Sequence, residues 1–527
     1  MYSFRLENVK SFIDTEDIEI KPINIFVGRN SSGKSSLIRF PVVLSQTFSN
    51  DVFTPFLFFG KLIDYGNFED VVHNKTGDEM VFSFNFEGRE VLKNALYYAF
   101  RYHDEKDLKN IVKDSKKITV KVTITKISKR ILVKEFNLIL DNHLLLTVLR
   151  DEKNKYFIRL YKKIHDKKLL DLDTPQDFHS NIVFKRFIPE LDVLRKWDIK
   201  DMIHKLAPNL EIGLESELVT ILSDSIRFGD YETLKEKVIN EFEVPSEKLR
   251  VFDKANDFYT TLKLVSFSLT GIHGSLNRFS NTLSYIGPFR KDPERIYRES
   301  ESSFLDVGKN GENASMILRQ ADRSKTNLLN NVSKWFAEST GYNIKIEEIE
   351  NSNLFKIVVA EENKSVSHNI IDAGYGFAQV LPIVTQIYYE NNVDDEIKRN
   401  LSRFGNKKIF VIEQPELHLH PAAQSSLADL FVEKIQKSKD AKFFIETHSE
   451  HLIRKLQVLI ADPNNKITPD DVAIYYIDKK EGGSSFIRRM EISPSGQFLE
   501  KWPSGFFDKS FELSRDLLKF ASLRGKQ

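Results

Sequence analysis

One local unit constrains this chain more than any other: an apolar run, a glycine-bounded turn and a helix in immediate succession. Residues 18–27 (IEIKPINIFV) form a largely apolar run that stops at Gly28. Gly28-Arg29-Asn30-Ser31-Ser32-Gly33-Lys34-Ser35 then matches the spacing G-x-x-x-x-G-K-[ST]. The stretch after it, SSLIRFPVVLSQTF, reads as a helix. Strand, glycine-rich turn, helix is the opening unit of an α/β domain. Its chemistry follows from residue type. The glycines let successive backbone N–H groups turn inward around a phosphate chain, and the helix start adds positive potential. Lys34 is placed to reach the β- and γ-phosphates, and the Ser35 hydroxyl to ligate Mg²⁺. Gly28, Asn30, Ser31, Gly33, Lys34, Ser35 and Ser36 are the expected cradle.

A second apolar run, Ile409-Phe410-Val411-Ile412-Glu413, ends in a carboxylate. Its length and composition suit a buried parallel strand. A strand-end acid beside a P-loop holds Mg²⁺, so Glu413 is the expected metal residue. Gln414-Pro415-Glu416 and Leu417-His418-Leu419-His420-Pro421 follow. Lys442-Phe443-Phe444-Ile445-Glu446 is a further buried strand, leading into Thr447-His448-Ser449. His448 has two readings: it hydrogen-bonds a γ-phosphate and senses its loss, or it only helps Ser449 start the next helix.

The rest of the chain is ordinary globular text. Residues 2–7 alternate apolar and polar as a half-buried strand does. From about 76 to 170 the runs MVFSFNF, KITVKVTITKI, RILVKEFNLIL and KYFIRLY read as strands, and helical periodicity dominates 187–280. PAAQSSLADLFVEKIQ reads as a helix opened by Pro421, and DVAIYYID with SSFIRRMEI as a hairpin around residues 481–483. No cysteine is present, which excludes disulfides, a thiolate nucleophile and a Cys-ligated zinc site. No apolar run approaches the about 18 residues of a membrane span. The opening MYSFRLENVK lacks a signal-peptide core. These features point to a cytoplasmic protein.

Taken in order, the motifs resemble the ABC-type ATPase heads of the RecF/SMC/OLD superfamily. The similarity is greatest to a bacterial branch of OLD-like AAA-family ATPases often encoded in phage-defence loci. The residues that carry it are LENVKSF, GRNSSGKSSL, Gln46 twelve residues past Lys34, YGNFEDVVHN (65–74), YIGPFRKDPER (285–295), VGKNGENA (307–314), DAGYGFAQVLPIV (372–384), IEQPELHLHPAAQ (412–424), ETHSEHLI (446–453) and KWPSGFFD (501–508). The resemblance implies one ATPase head, 1–75 with 283–527, split by a β-rich basic insertion (76–186) and a helical insertion (187–282). It implies Mg²⁺-ATP bound head to tail between copies of the chain. Ser35, Gln46 and Glu413 would serve the metal. Asp372, Gly374, Gly376 and Gln379 would form a signature segment facing the partner's γ-phosphate.

Two departures bear on mechanism. The signature pattern usually has serine before the glutamine, where this chain has Ala378. The strand-end pair is usually Asp-Glu, where this chain has Glu413-Gln414. An amide orients water but accepts no proton, and loss of a general base costs about 10²–10⁴ in rate. Either Glu416 or a histidine (His418, His420 or His448) takes that role, or hydrolysis is slow. OLD nucleases carry a Toprim domain after the ATPase. No spaced acidic cluster of that kind follows His451, so no intrinsic nuclease is expected.

The formal net charge is +1, from 77 Lys/Arg and 76 Asp/Glu, yet residues 101–170 hold 19 Lys/Arg against 9 Asp/Glu. That stretch binds nucleic acid through its phosphates, meets an acidic partner, or is a solvated face. The functional expectation is an ATPase acting as sensor and scaffold for a separate toxin or nuclease effector in anti-phage defence. The alternative is a DNA-acting repair ATPase of RecF/SMC type.

Overall fold

The structure, a computed structural model, describes residues 1–75, 77–92, 116–153, 155–163, 169–172, 182–190, 246–361, 366–389 and 408–503, with a few single positions between and after these. Most of the 187–245 stretch, residues 101–115 of the basic stretch, and residues 504–508 of the KWPSGFFD segment lie outside the described residues. The fold is α/β, in two units: residues 1–18, 43–60 and 64–278, and residues 19–42, 61–63 and 279–527.

The first unit is built on an antiparallel sheet. Its order is Leu169–Leu172, Tyr156–Lys163, His143–Arg150, Arg130–Leu140, Lys117–Ile127, Glu79–Glu87, Ser3–Val9 and Phe12–Asp14, with Ile18–Glu19 beside Ser3–Val9. The strands expected between 76 and 170 are all present. The division at residue 75 does not follow the packing, because Ser3–Val9 pairs directly with Glu79–Glu87. Alternation in residues 2–7 identifies a strand but not its partner 80 residues away. Phenylalanines fill the interior: Phe56 stacks on Phe187 at 4.8 Å, and Phe84 on Phe187 at 5.3 Å. Three lysines of the basic stretch are ion-paired within this unit: Lys121 with Glu7, Lys126 with Glu69, and Lys134 with Glu79.

The second unit centres on a six-stranded sheet in the order Leu283–Ile286, Ile409–Glu413, Lys442–Glu446, Ile23–Gly28, Val472–Lys479 and Ser485–Met490. All neighbours are parallel except the last, the hairpin read from the sequence. The run expected as one strand over 18–27 is interrupted before Ile23, where Lys21 and Pro22 precede it. Proline has no N–H for a ladder bond. Helices Pro421–Lys437 and Glu450–Ala461 bury Leu427, Phe431, Leu452 and Leu456 in the same core as Ile25, Phe410 and Phe443. Pro421 stands at the first helical turn and His420 caps it. The helix after the P-loop is likewise split, into Lys34–Ile38 and Phe40–Ser49. Pro41 cannot donate to the Leu37 carbonyl, which removes one helical bond at the break.

Candidate nucleotide site

The P-loop lies wholly in the second unit, on the strand Ile23–Gly28. Gly28 is required by packing as well as by phosphate access. Its φ is +146°, and a Cβ there would lie 1.9 Å from the Ile477 carbonyl oxygen on the neighbouring strand. Ser31 and Gly33 also take positive φ. The Ser485 hydroxyl donates to the Ser32 carbonyl at 2.7 Å, tying the loop to the hairpin strand. Lys34 is buried, and its ammonium donates to the carbonyls of Gly28 (3.0 Å) and Arg29 (2.7 Å). Burial lowers its pKa, and the nearby Glu446 opposes that shift. Arg29, Asn30 and Ser31 are exposed, and Ser35 and Ser36 are partly so.

Two carboxylates end adjacent strands of this sheet, and one of them, Glu446, bonds the loop at Ser35. Glu413 and Glu446 close parallel strands in register with each other, and Glu446 is also in register with Phe26 of the P-loop strand. Both acids are buried. Each oxygen of Glu413 has a side-chain partner. Its Oε1 accepts from Arg39 Nε at 2.6 Å and the Tyr285 hydroxyl at 2.7 Å, and its Oε2 accepts from Arg39 Nη2 at 2.7 Å. Arg290 Nη2 donates to the Glu413 carbonyl at 2.6 Å and the Gln414 carbonyl at 3.1 Å. Burial pulls the Arg290 pKa down to about 10 against the charges of Glu416 and Glu413. Burial pushes the Tyr285 phenol up, and Glu413 pushes it further. Glu446 accepts from the Ser35 hydroxyl at 3.1 Å through Oε1, while its buried Oε2 has no hydrogen-bond partner. Its carboxyl is held above the usual range, first by burial and then by Glu413.

The candidate water-activating groups lie around these acids. Gln414 takes φ +45°, and its N–H donates to the Glu446 carbonyl at 2.7 Å. Glu416 is buried. Its Oε1 accepts from the His448 N–H at 2.6 Å and its Oε2 is unpartnered, and burial raises its pKa. His448 is exposed beside this pair, and its cationic form is disfavoured by desolvation and by Lys34. Ser449 does cap the following helix, accepting from the Leu452 N–H at 3.1 Å. Capping therefore falls to Ser449 and leaves the His448 ring exposed. His420 caps the helix at Pro421, and His418 lies edge-on to Tyr375 at 4.9 Å.

The Asp372–Gln379 segment forms a short turn and the start of the helix Tyr375–Tyr389. Asp372, Gly374 and Tyr375 are exposed, whereas Ala378 and Gln379 are buried. Asp372 is held by Arg295 through two bonds of 2.8 and 2.9 Å. Gly376 approaches the His418 carbonyl so closely that a Cβ would lie 2.5 Å from its oxygen. Gln46 belongs to the first unit, where it is buried and donates to the Leu57 carbonyl at 2.6 Å.

Sequence reasoning passed over Glu446, Arg39, Tyr285 and Arg290. A signal for Glu446 was present: IFVIE and KFFIE are two five-residue buried strands that both end in glutamate, so parallel pairing in register sets the acids side by side. Among the described residues no group of three or more His, Asp or Glu is arranged to hold a metal by itself. Mg²⁺ carried by a nucleotide needs only one or two carboxylates besides phosphate and water. Ser35 and an orphaned buried carboxylate oxygen fit such a cation, and Lys34, whose ammonium binds only loop carbonyls, fits the phosphates.

No helix among the described residues is long and apolar enough to cross a membrane. Among solved structures, the chain is similar to an Smc head domain with an extended coiled coil, bound to the C-terminal domain of ScpA, from Pyrococcus furiosus. The identity is 13%, with 98% of each chain covered and a TM-score of 0.35. It is also similar to the SMC head domain from Thermotoga maritima, at 10% identity, with 93% of this chain and 98% of that chain covered and a TM-score of 0.34. No curated protein matches the chain. Residues 467–517 match a family described as a protein of unknown function, DUF3696. Residues 1–453 match AAA_15, described as an AAA ATPase domain, and the chain therefore belongs to that family of P-loop ATPases.

Proposed function

We propose that the chain is a Mg²⁺-dependent ATP hydrolase that assembles head to tail into a homo-oligomer, at least a dimer. ATP lies between the P-loop of one copy and the Asp372–Gln379 segment of the next. The assembly governs a separately encoded effector, a toxin or a nuclease, in bacterial defence against phage. The observation that carries the nucleotide reading is the buried Lys34 in a positive-φ loop, with Ser35 hydrogen-bonded to a strand-end acid. The exposed rim formed by Asp372, Gly374 and Tyr375 supports contact with a second copy. The defence role rests on the motif order. Gln414 in place of an acid supports slow turnover and a long-lived ATP-bound assembly.

The test is the mass of the particle, with and without ATP, purified together with the product of the neighbouring gene. Growth in mass with ATP and retention of that product support the reading. A Lys34→Ala variant that bound Mg-ATP as the unaltered chain does would overturn it. Turnover at tens per second, unchanged in Gln414→Ala, would remove the slow-hydrolysis part alone. Hydrolysis stimulated by DNA, and lost when Lys129 and Arg130 are neutralised, would instead favour the DNA-acting reading. The ion pairs at Lys121, Lys126 and Lys134 weigh against that outcome.

A further inference from the structure

We propose that Glu446, and not Glu413, is the carboxylate through which this chain holds the divalent cation of the bound nucleotide. The assignment rests on the ATP reading above and adds to it the identity of the metal-binding acid.

Four observations carry it. First, the P-loop hydroxyl that a nucleotide-bound cation uses is that of Ser35, and its partner is Glu446 Oε1 at 3.1 Å. Second, the other oxygen of Glu446 is buried with no hydrogen-bond partner, while the residue as a whole is 3% exposed. A buried carboxylate oxygen left unsatisfied is costly, and a cation relieves that cost. Third, Glu413 has no such vacancy. Its two oxygens receive three donors, two from the Arg39 guanidinium and one from Tyr285. A planar guanidinium that binds a carboxylate through two points satisfies both its geometry and its charge. Fourth, the sheet order sets Glu446 on the strand next to the P-loop strand and Glu413 one strand further out. Neighbouring strands are about 4.8 Å apart, so the two acids are not equivalent in reach.

In this arrangement Arg39 and Tyr285 fix the Glu413 side chain behind the site, and it does not touch the cation. Glu446 and Ser35 supply the protein's side of the coordination shell, and phosphate oxygens and water supply the rest.

The experiment measures binding of a fluorescent ADP in excess Mg²⁺ and in EDTA, on the full chain and on Glu446→Gln and Glu413→Gln. The unaltered chain is expected to bind more tightly with Mg²⁺. Glu446→Gln is expected to lose at least about tenfold of that enhancement, the ratio of affinities with and without Mg²⁺, the scale on which cation-site substitutions act. Glu413→Gln is expected to keep the enhancement within about twofold, well inside that tenfold scale. Mn²⁺ binding, read by electron paramagnetic resonance, should follow the same order. Retention of the enhancement in Glu446→Gln, or its loss in Glu413→Gln, would overturn the assignment. If Glu446→Gln does not fold, Glu446→Asp reads the same quantity: weakened Mg²⁺ enhancement keeps the assignment, and full enhancement overturns it. Failure of the unaltered chain to bind nucleotide at all would instead overturn the ATP reading.

Discussion

Arg39, at the C-terminal end of the helix Lys34–Ile38, and Glu413, at the end of the strand Ile409–Glu413, form a two-point ion pair, with bonds of 2.6 and 2.7 Å to the two carboxylate oxygens. The arginine side chain is 31% exposed and the glutamate 3%. Removing the arginine leaves a buried carboxylate with only the Tyr285 hydroxyl as side-chain partner. Arg39→Ala is expected to cost about 2 kcal/mol, below the full penalty of a completely buried pair because one side is partly solvated. Arg39→Lys should recover less than half of that, since an ammonium cannot make the fork. Urea unfolding checks both, and an unshifted midpoint in Arg39→Ala would refute the structural weight given to this pair.

How much of this was legible depended on sequence distance. The P-loop and both strand-end acids lie within short apolar runs, whose length and composition identify buried parallel strands. The ion pair could not be read, because Arg39 and Glu413 are 374 positions apart and Tyr285 is 128 from the acid. Arg39 looks like any helix-surface cation until the break before Phe40 is known. The boundary at residue 75 failed for the same reason. Ser3–Val9 shows its own alternation, but nothing local names Glu79–Glu87 as its partner.

Gly28 makes a second prediction. Its positive φ and the 1.9 Å approach of a Cβ to the Ile477 oxygen act together, and the obstacle is backbone on a central strand. Gly28→Ala is therefore expected to cost more than about 3 kcal/mol, or to prevent accumulation of folded protein. Thermal unfolding measures it. A variant within a degree of the unaltered melting temperature would contradict the close strand contact.

His273 predicts a pH dependence. Its imidazole pKa is held down to about 4, first by burial and then by Lys185 and Arg186, from an ordinary 6.5. Between those values the unfolded chain takes up a proton that the folded chain refuses. The stability from this group is complete above pH 6.5 and falls as the pH drops towards 4. Partial exposure reduces the loss to about 1–2 kcal/mol. The stability difference between the unaltered chain and His273→Gln should therefore change with pH in that window and be flat above it. A difference independent of pH from 4 to 7 would refute the shift.

Gln414 predicts a gain. Under the proposed function it stands, after Glu413, where an acid would accept the proton of attacking water, and its N–H is already fixed on the Glu446 carbonyl at 2.7 Å. Gln414→Glu keeps that backbone bond and adds a proton acceptor. ATP hydrolysis is expected to rise at least about tenfold, towards the 10²–10⁴ that a general base contributes. Steady-state phosphate release reads it. An unchanged rate would show that another group already performs the proton transfer.

Glu416 separates stability from chemistry. Its carboxyl pKa is raised, chiefly by burial, against the His448 N–H bond and the Arg290 charge. A raised carboxyl favours the fold when protonated. Its stabilising contribution is present below the unfolded value of 4.5 and is lost as the pH rises through the folded value. Glu416→Gln keeps an oxygen for the His448 N–H and replaces the unpartnered Oε2 with a neutral amide nitrogen. The variant is expected to melt higher than the unaltered chain at pH 8, with the gap closing as the pH falls towards 4.5. If Glu416 is also the proton acceptor left by Gln414, the same variant loses hydrolysis while gaining stability. Melting and turnover then move in opposite directions, which a purely structural role for Glu416 would not produce.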